Sequence, residues 1–215
     1  MQALFENGDL WLQGMGSTLM LVAITTLIGL PFGAVLAGMR VSPVAAFRVA
    51  STIYIEVARN TPLTLVFFFM AFVLPRVGLT LDFLVGAVAA LTFYTSAFFA
   101  EAVRSGINSV AVGQAEAARS VGLGFGQTMT LVILPQAIRS VVPPLINVII
   151  ALTKNTSVAM GFFVFVLTSV AQRLSNDYGN QALQIFIGIA LSYLIITVPL
   201  GQLADYLEKK WRVQR

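Results

Sequence analysis

Residues 116–140 of this 215-residue chain read EAARSVGLGFGQTMTLVILPQAIRS and separate two long apolar segments. The residues at 115–120 favour a helix because Ala and Glu are strong helix formers. Glycines at 122, 124 and 126 then favour a turn. The stretch predicts a short helix and turn exposed between two spans, with small side chains that let a partner approach closely. An ordinary loop with helix-forming residues is the alternative on composition alone.

The composition places these segments in a membrane. The chain is 58% hydrophobic and only 10% charged, whereas soluble domains carry about 25% charged residues. A single core of this size cannot remove so much apolar surface from water, so the simpler solvent is lipid. We therefore predict an all-α integral membrane protein that crosses the membrane several times.

Two residue types are missing, which excludes several kinds of chemistry. The sequence has no Cys and no His, so it offers no disulfide, thiol nucleophile, thiolate metal site or imidazole base. We expect no catalytic residues and no metal site. The GLGFG run is not a nucleotide loop, because no strand precedes it and no Gly-Lys-Ser/Thr follows. The scattered basic residues also argue against a nucleic acid partner.

About five segments are apolar and long enough to span about 30 Å of hydrocarbon. The second span ends near residue 74, and the sequence allows two positions for its start. Residues 42–58 form either an interfacial helix before a span from about 61, or the first half of one long tilted helix. The other predicted spans are 15–39, 82–103, 141–170 with the polar residues 154–157 in its middle, and 181–203.

The distribution of basic residues predicts the orientation. With the N-terminus outside, nine Lys and Arg face one side and two face the other, and the richer side is cytoplasmic. The nine are Arg40, Arg48, Arg104, Arg119, Arg139, Lys209, Lys210, Arg212 and Arg215; the two are Arg76 and Arg173. We predict a lead-in segment at 1–14, one membrane domain at 15–206 with a cytoplasmic loop at about 104–140, and a cytoplasmic tail at 207–215.

The stretch at 116–140 resembles the EAA motif of ABC importer permeases: Glu-Ala-Ala, three residues, Gly, nine residues, an aliphatic residue, any residue, Leu-Pro. The matching residues are Glu116, Ala117, Ala118, Gly122, Val132, Leu134 and Pro135. Val132 stands where Ile is usual. Three further segments resemble the polar amino-acid (histidine/glutamine/glutamate) branch: EVARNTPL at 56–63, residues 100–122, and LTKNTSV at 152–158. Asn60 replaces the Gly of the usual RGTP.

The resemblance implies a multi-pass protein of the bacterial inner membrane that works with several other subunits. The helix at 116–118, with Gly122, Leu134 and Pro135, would couple the permease to a cytoplasmic ATPase that holds ATP and magnesium. This chain itself would bind no cofactor. A second permease subunit, alike or homologous, would complete the path, and an extracellular or periplasmic solute-binding protein would deliver the amino acid. Glu116 would pair with a basic residue of the ATPase; capping the loop's own amides is the alternative.

Polar residues within the spans are candidates for the substrate path. Lys154 lies about 20 Å along the predicted fourth span, where an ionisable side chain is costly unless it faces a cavity or a partner. Asn155, Thr156 and Ser157 add donors and acceptors beside it. Arg59, with Asn60 and Thr61 before Pro62, is the second candidate group. A structural role is the alternative for both cations: Lys154 could bind backbone carbonyls, and Arg59 could anchor a kinked helix start.

Two other patterns predict packing. Glu101 and Arg104 lie three residues apart and are expected to pair. Gly29, Gly33 and Ala37 form a small face suited to close helix contact, either within the monomer or between two subunits.

The function expected from these features is the permease subunit of an ATP-driven importer of polar amino acids. Glutamate is favoured over glutamine, because the candidate path carries Arg59 and Lys154 while Asn155 is neutral where many relatives carry Asp. The alternative is a secondary carrier or channel for small polar solutes. That class predicts paired acids within the spans, and none is evident. An intramembrane enzyme with a Ser–Lys pair is a third possibility.

Overall fold

The computed structural model describes residues 2–211, and every regular element in that range is helical. Met1 and residues 212–215 lie outside it, including Arg212 and Arg215 of the orientation count and the end of the predicted tail. The α-helices are α1 (Gln2–Glu6), α2 (Gly8–Val41), α3 (Ala45–Asn60), α4 (Leu63–Phe68), α5 (Phe83–Asn108), α6 (Val112–Ser120), α7 (Phe125–Gln127), α8 (Leu134–Asn155), α9 (Leu167–Asp177) and α10 (Ala182–Trp211).

Four helical runs are long and apolar enough to cross a membrane, and a bent pair makes a fifth candidate. The four are Gly8–Val41, Phe83–Asn108, Phe125–Phe162 and Gly179–Trp211. In the fifth, α3 and the run Leu63–Val77 meet at an angle of 99°. The expected all-α fold with about five spans is confirmed. The bend also excludes a single long tilted helix across residues 42–74.

The bend at residues 61–62 follows from the sequence. Thr61 has the extended conformation, with φ −89° and ψ 128°, which the residue before a proline prefers. Pro62 then precedes the first turn of α4 and lacks an N–H that α3 would need to continue. The chain past α4 runs through a π-helix (Phe69–Val73) and a 3₁₀ turn (Leu74–Val77) before α5 begins.

Helix α3 folds back across α2 and α5. Ser51 donates a hydrogen bond through Oγ to the Leu36 carbonyl at 2.8 Å, and the Tyr54 hydroxyl donates to the Phe93 carbonyl at 3.0 Å. Ile55 and Ala58 of α3 are fully buried. The helix is therefore tied to both neighbours by buried side chains and by hydrogen bonds.

The small face of α2 serves the core of the monomer. Gly29 and Gly33 lie directly against Phe99 of α5, and Ala37 is buried with residues of α3 and α5. Of the two expected uses of this face, packing within the monomer is the one observed.

The bounds predicted for the fourth span were wrong. The helical run begins at Phe125 and ends at Phe162, instead of covering 141–170. Phe163 has a left-handed backbone with φ 64°, and Val166 is extended, so α9 is a separate helix. Apolar composition continues through this break, and composition alone therefore could not reveal it.

Helices α9 and α10 pack on α2. The Leu167 amide donates to Thr18 Oγ1 at 3.0 Å, and Trp11 Nε1 donates to Ser192 Oγ at 2.8 Å. The buried side chains of α1 pack in the same cluster as residues of α9 and α10. Trp11 thus joins α2 to α10.

Candidate coupling surface and transport path

The predicted coupling residues lie on and after a short exposed helix. In α6, Glu116 and Ala117 are exposed, whereas Ala118 is 5% exposed and faces the protein. The flanking Val112 and Val121 are 70% and 76% exposed. We name the exposed face of α6 and its following turn (residues 112–122) the coupling surface.

Gly122 shapes the turn that ends this surface. Its φ is +87°, in the left-handed region that favours glycine. The amides of Gly122 and Leu123 donate to the carbonyls of Arg119 and Ala118 and so close the end of α6. Apart from its two chain neighbours, no residue in the range 2–211 has an atom within 4 Å of a Cβ placed on Gly122. Within the chain, the positive φ and not a close contact therefore explains the glycine.

Of the remaining motif residues, Val132 lies in a π-helix at Thr128–Ile133, and Leu134 and Pro135 begin α8. Pro135 occupies its first turn, where a missing N–H costs nothing, and Leu134 is half-buried beside it. Gln136 Nε2 donates to Gln114 Oε1 at 3.4 Å, which links α8 to α6. The motif therefore connects the exposed helix directly to a membrane-spanning helix.

The side chain of Glu116 makes no hydrogen bond or ion pair with any residue in the range 2–211. The alternative in which it caps the amides of its own loop is therefore not observed. An exposed carboxylate without a partner is available to an external basic group.

The first candidate path group lies at the bend between α3 and α4. Asn60 Nδ2 donates to the Glu56 carbonyl at 2.8 Å, and Thr61 Oγ1 donates to the Val57 carbonyl at 2.7 Å. Both side chains thus cap the end of α3. Arg59 is exposed, with its guanidinium 5.7 Å from the centre of the Phe98 ring.

The second candidate group divides between two environments. Lys154 is exposed in the last turn of α8, and within residues 2–211 its ammonium has no ion pair or hydrogen bond. Asn155 is half-buried, and Thr156 is fully buried, donating to the Thr153 carbonyl at 2.6 Å. The carbonyl of Ser157 accepts from Thr168 Oγ1 at 3.1 Å. Lys154 is therefore the most available of the four side chains.

The α-helix ends next to this group. At Asn155 it gives way to a 3₁₀ helix, Thr156–Phe162. Irregular backbone at membrane depth is tolerated where protein or a water-filled cavity satisfies its polar groups. No contact joins Lys154 to Arg59 among the interactions of the described residues, so the two cations are separate features.

An ion cluster of Arg40, Glu56, Glu101 and Arg104 joins α2, α3 and α5. Arg104 donates to Glu101 Oε2 at 2.7 Å, as expected from their spacing. Arg40 of α2 binds the other carboxylate oxygen of Glu101 and lies 3.8 Å from Glu56 of α3. The bond between Arg40 and Glu101 has no local signal in the sequence, because the two residues are 61 positions apart.

A cavity of about 1220 Å³ opens between α5, α6, α8 and α10. Its polar lining includes Arg104, Gln114, Arg139, Ser140 and Asn147. None of the seven residues predicted for the path lines it, although Phe98, which contacts Arg59, does. Residues 2–211 also contain no cluster of acidic side chains able to hold a metal ion.

Comparisons with known proteins identify this arrangement. Residues 29–213 match the family described as "Binding-protein-dependent transport system inner membrane component". The chain belongs to this permease family. It is 42% identical to the glutamate transport system permease protein GluC of Corynebacterium glutamicum, over 92% of each chain. It is 40% identical to the probable glutamine ABC transporter permease protein GlnM of Bacillus subtilis, over 96% of this chain and 95% of that one.

The solved structures agree. The crystal structure of an amino acid ABC transporter with histidines superposes with a TM-score of 0.90 at 30% identity, covering 97% of each chain. This protein is thus a permease subunit of an amino-acid ABC importer and a multi-pass protein of the inner membrane. The family works with an ATPase and a solute-binding protein, and its permease subunits are not catalytic. The carrier, channel and intramembrane enzyme alternatives are thereby set aside.

Proposed function

We propose that this permease imports a polar amino acid and favours glutamate over glutamine. The supporting observation is Lys154: an exposed ammonium within a membrane-spanning run, without an ion pair in the described residues and beside the neutral Asn155. Such a charge is costly against lipid and should face a path or a partner. It offers a glutamate side chain an attraction that glutamine lacks. A relative named for glutamate and a relative named for glutamine have similar identities to this chain. The preference for glutamate therefore rests on Lys154 and Asn155.

The remaining machinery belongs to the same proposal. The coupling surface binds a cytoplasmic ATPase, which holds ATP and magnesium, and a second permease subunit encloses the path. A solute-binding protein delivers substrate at the opposite side, where the N-terminus lies. The exposed, unpartnered Glu116 supports the docking role, because a cationic group of the ATPase can reach it without displacing an internal contact.

Replacing Lys154 tests the path. Lys154→Met keeps much of the apolar stem and removes the charge. A charge-assisted hydrogen bond is worth about 1.5–3 kcal/mol, or about one to two decades in affinity. We expect glutamate uptake in proteoliposomes containing the assembled importer to fall at least tenfold. Lys209→Met, the same change at an exposed residue of α10, should leave it unchanged. Normal uptake by a well-assembled Lys154→Met importer would refute the path role.

Replacing Asn155 tests the choice of amino acid. Asn155→Asp places a carboxylate beside Lys154. The new carboxylate repels the acidic side chain of glutamate and affects the neutral glutamine less. We expect the ratio of glutamate to glutamine uptake to fall. An unchanged ratio would remove the electrostatic basis for choosing glutamate, without affecting the assignment as an amino-acid importer.

A further inference from the structure

A polar stripe runs along one face of α8. Ser140, Asn147 and Lys154 are all exposed and follow one another at seven-residue intervals. Successive residues at this spacing lie about 10.5 Å apart along the axis and are rotated by only about 20°. The three side chains therefore project in nearly the same direction. We name them the α8 stripe.

The α8 stripe is unsuited to contact with lipid. Asn147 and Lys154 lie in the part of the apolar run Phe125–Phe162 that follows the predicted cytoplasmic loop, where polar groups require a partner or water. In residues 2–211, neither Asn147 nor Lys154 has a side-chain hydrogen bond or ion pair. The hydrogen-bonding groups of these two side chains are therefore available to water, a solute or another subunit.

The cavity reaches only part of the stripe. Ser140 and Asn147 line it, whereas Lys154 does not. Asn147 is thus the stripe residue at the end of the cavity that is nearer to Lys154. Lys154 lies about two helical turns beyond Asn147 along the axis of α8. A solute moving between Lys154 and the cavity passes Asn147.

We infer that Asn147 is a contact residue for the transported amino acid between Lys154 and the cavity, which rests on the proposed path role of Lys154. Its amide NH₂ can donate to the substrate carboxylate, and its amide oxygen can accept from the substrate ammonium. All α-amino acids carry both groups. Asn147 therefore contributes to uptake without choosing between glutamate and glutamine, whereas Lys154 makes that choice.

Thiol labelling tests the position, because the chain has no cysteine of its own. The control site is Leu203 of α10, which is 45% exposed and does not line the cavity. It lies at a similar depth, since a Cβ on nearby Gly201 would be 4.0 Å from Ile150 of α8. In the assembled importer, Asn147→Cys should react with a charged, water-soluble thiol reagent at least tenfold faster than Leu203→Cys. Glutamate should slow that reaction. Equal, slow reaction at both sites would overturn the inference.

Uptake measurements test the role. Asn147→Leu should reduce uptake of glutamate and of glutamine by the same factor, at least fivefold. Stimulation of the ATPase by the loaded binding protein should persist, and Asn147→Gln should restore part of the uptake. Normal uptake by Asn147→Leu would refute the inference. Failure of the underlying proposal is distinguishable, because then Lys154→Met would also transport normally.

Should Asn147→Leu assemble poorly, the labelling rates decide. Fast, glutamate-protected labelling of Asn147→Cys supports the contact, and unprotected labelling contradicts it.

Discussion

A Cβ atom placed on Gly33 of α2 would lie 2.7 Å from the Cβ of Phe99 and 2.7 Å from the carbonyl oxygen of Ser96, both in α5. Real Cβ atoms do not approach other atoms so closely, and one of the two neighbours is backbone. The separation of α2 and α5 at this level is therefore set by the absence of a side chain at residue 33. Gly29, one turn earlier, has its nearest neighbour at 3.6 Å, an ordinary contact distance.

Paired substitutions at these glycines test this difference. Gly33→Ala should destabilise the protein by about 1–3 kcal/mol, the usual cost of overpacking. Gly29→Ala should be tolerated. The thermal transition of the purified permease in detergent measures both. A Gly33→Ala variant as stable as Gly29→Ala would show that the two helices separate freely.

The Glu101 carboxylate should be the most important member of the ion cluster. Glu101→Gln leaves Arg40 and Arg104 facing each other without the anion between them, and a hydrogen bond to a charged group contributes about 1.5–3 kcal/mol. We expect a lower thermal transition temperature. Glu116→Gln, the same change at an exposed residue without an internal partner, should not shift it. Equal behaviour of the two variants would mean that the cluster contributes little.

Reversing the charge on the coupling surface should uncouple transport. Glu116→Lys should leave the protein in the membrane with its thermal transition unchanged, because the side chain is exposed and makes no hydrogen bond or ion pair within residues 2–211. In the reconstituted importer, substrate-stimulated ATP hydrolysis should be lost, since like charges now face each other. Full stimulation would disprove docking through Glu116.

Backbone conformation should decide which residues are accepted at position 122. A β-branched side chain is strongly disfavoured at positive φ, whereas Asn adopts it readily. Gly122→Val should therefore impair stimulation of ATP hydrolysis much more than Gly122→Asn, although the Cβ of either residue has open space around it within residues 2–211. Two variants with equal activity would indicate that this turn is free to change its conformation.

Labelling from one side of the membrane tests the orientation. Cysteines replacing Gly179 and Gly126 are suitable, because both positions are exposed and open. The first should react with an impermeant reagent added outside intact cells, and the second should react only after permeabilisation. The opposite result would reverse the orientation that we predict from the basic residues.

The features that the sequence predicted are those with a local signal. Helix formers followed by glycines located α6 and its turn, and the three-residue spacing predicted the bond between Glu101 and Arg104. The end of the helix near Phe163 has no such signal, because the residues on both sides are equally apolar. The hydrogen bond between Thr18 and the Leu167 amide joins distant positions, and only the folded chain reveals it.

The residues predicted for the path differ in their surroundings, and the path itself stays a prediction. Lys154 stands out as a charge in an apolar run, and its exposure agrees with a role in the path. Asn60 and Thr61 look equally polar in the sequence, yet both cap the end of α3. Asn147, which we propose as a further contact residue, was not predicted from the sequence, because its seven-residue spacing from Ser140 and Lys154 has a meaning only once the extent of α8 is known.

The hydrogen bonds from Leu167 to Thr18 and from Trp11 to Ser192 also bear on how the protein is made. Synthesis proceeds from the N-terminus, so α2 is available long before the segments that complete its packing. Until those segments are inserted, the Thr18 face and the Trp11 indole lack the partners found in the finished protein. Helix α2 can therefore reach its final packing only after α9 and α10 have been synthesised and inserted.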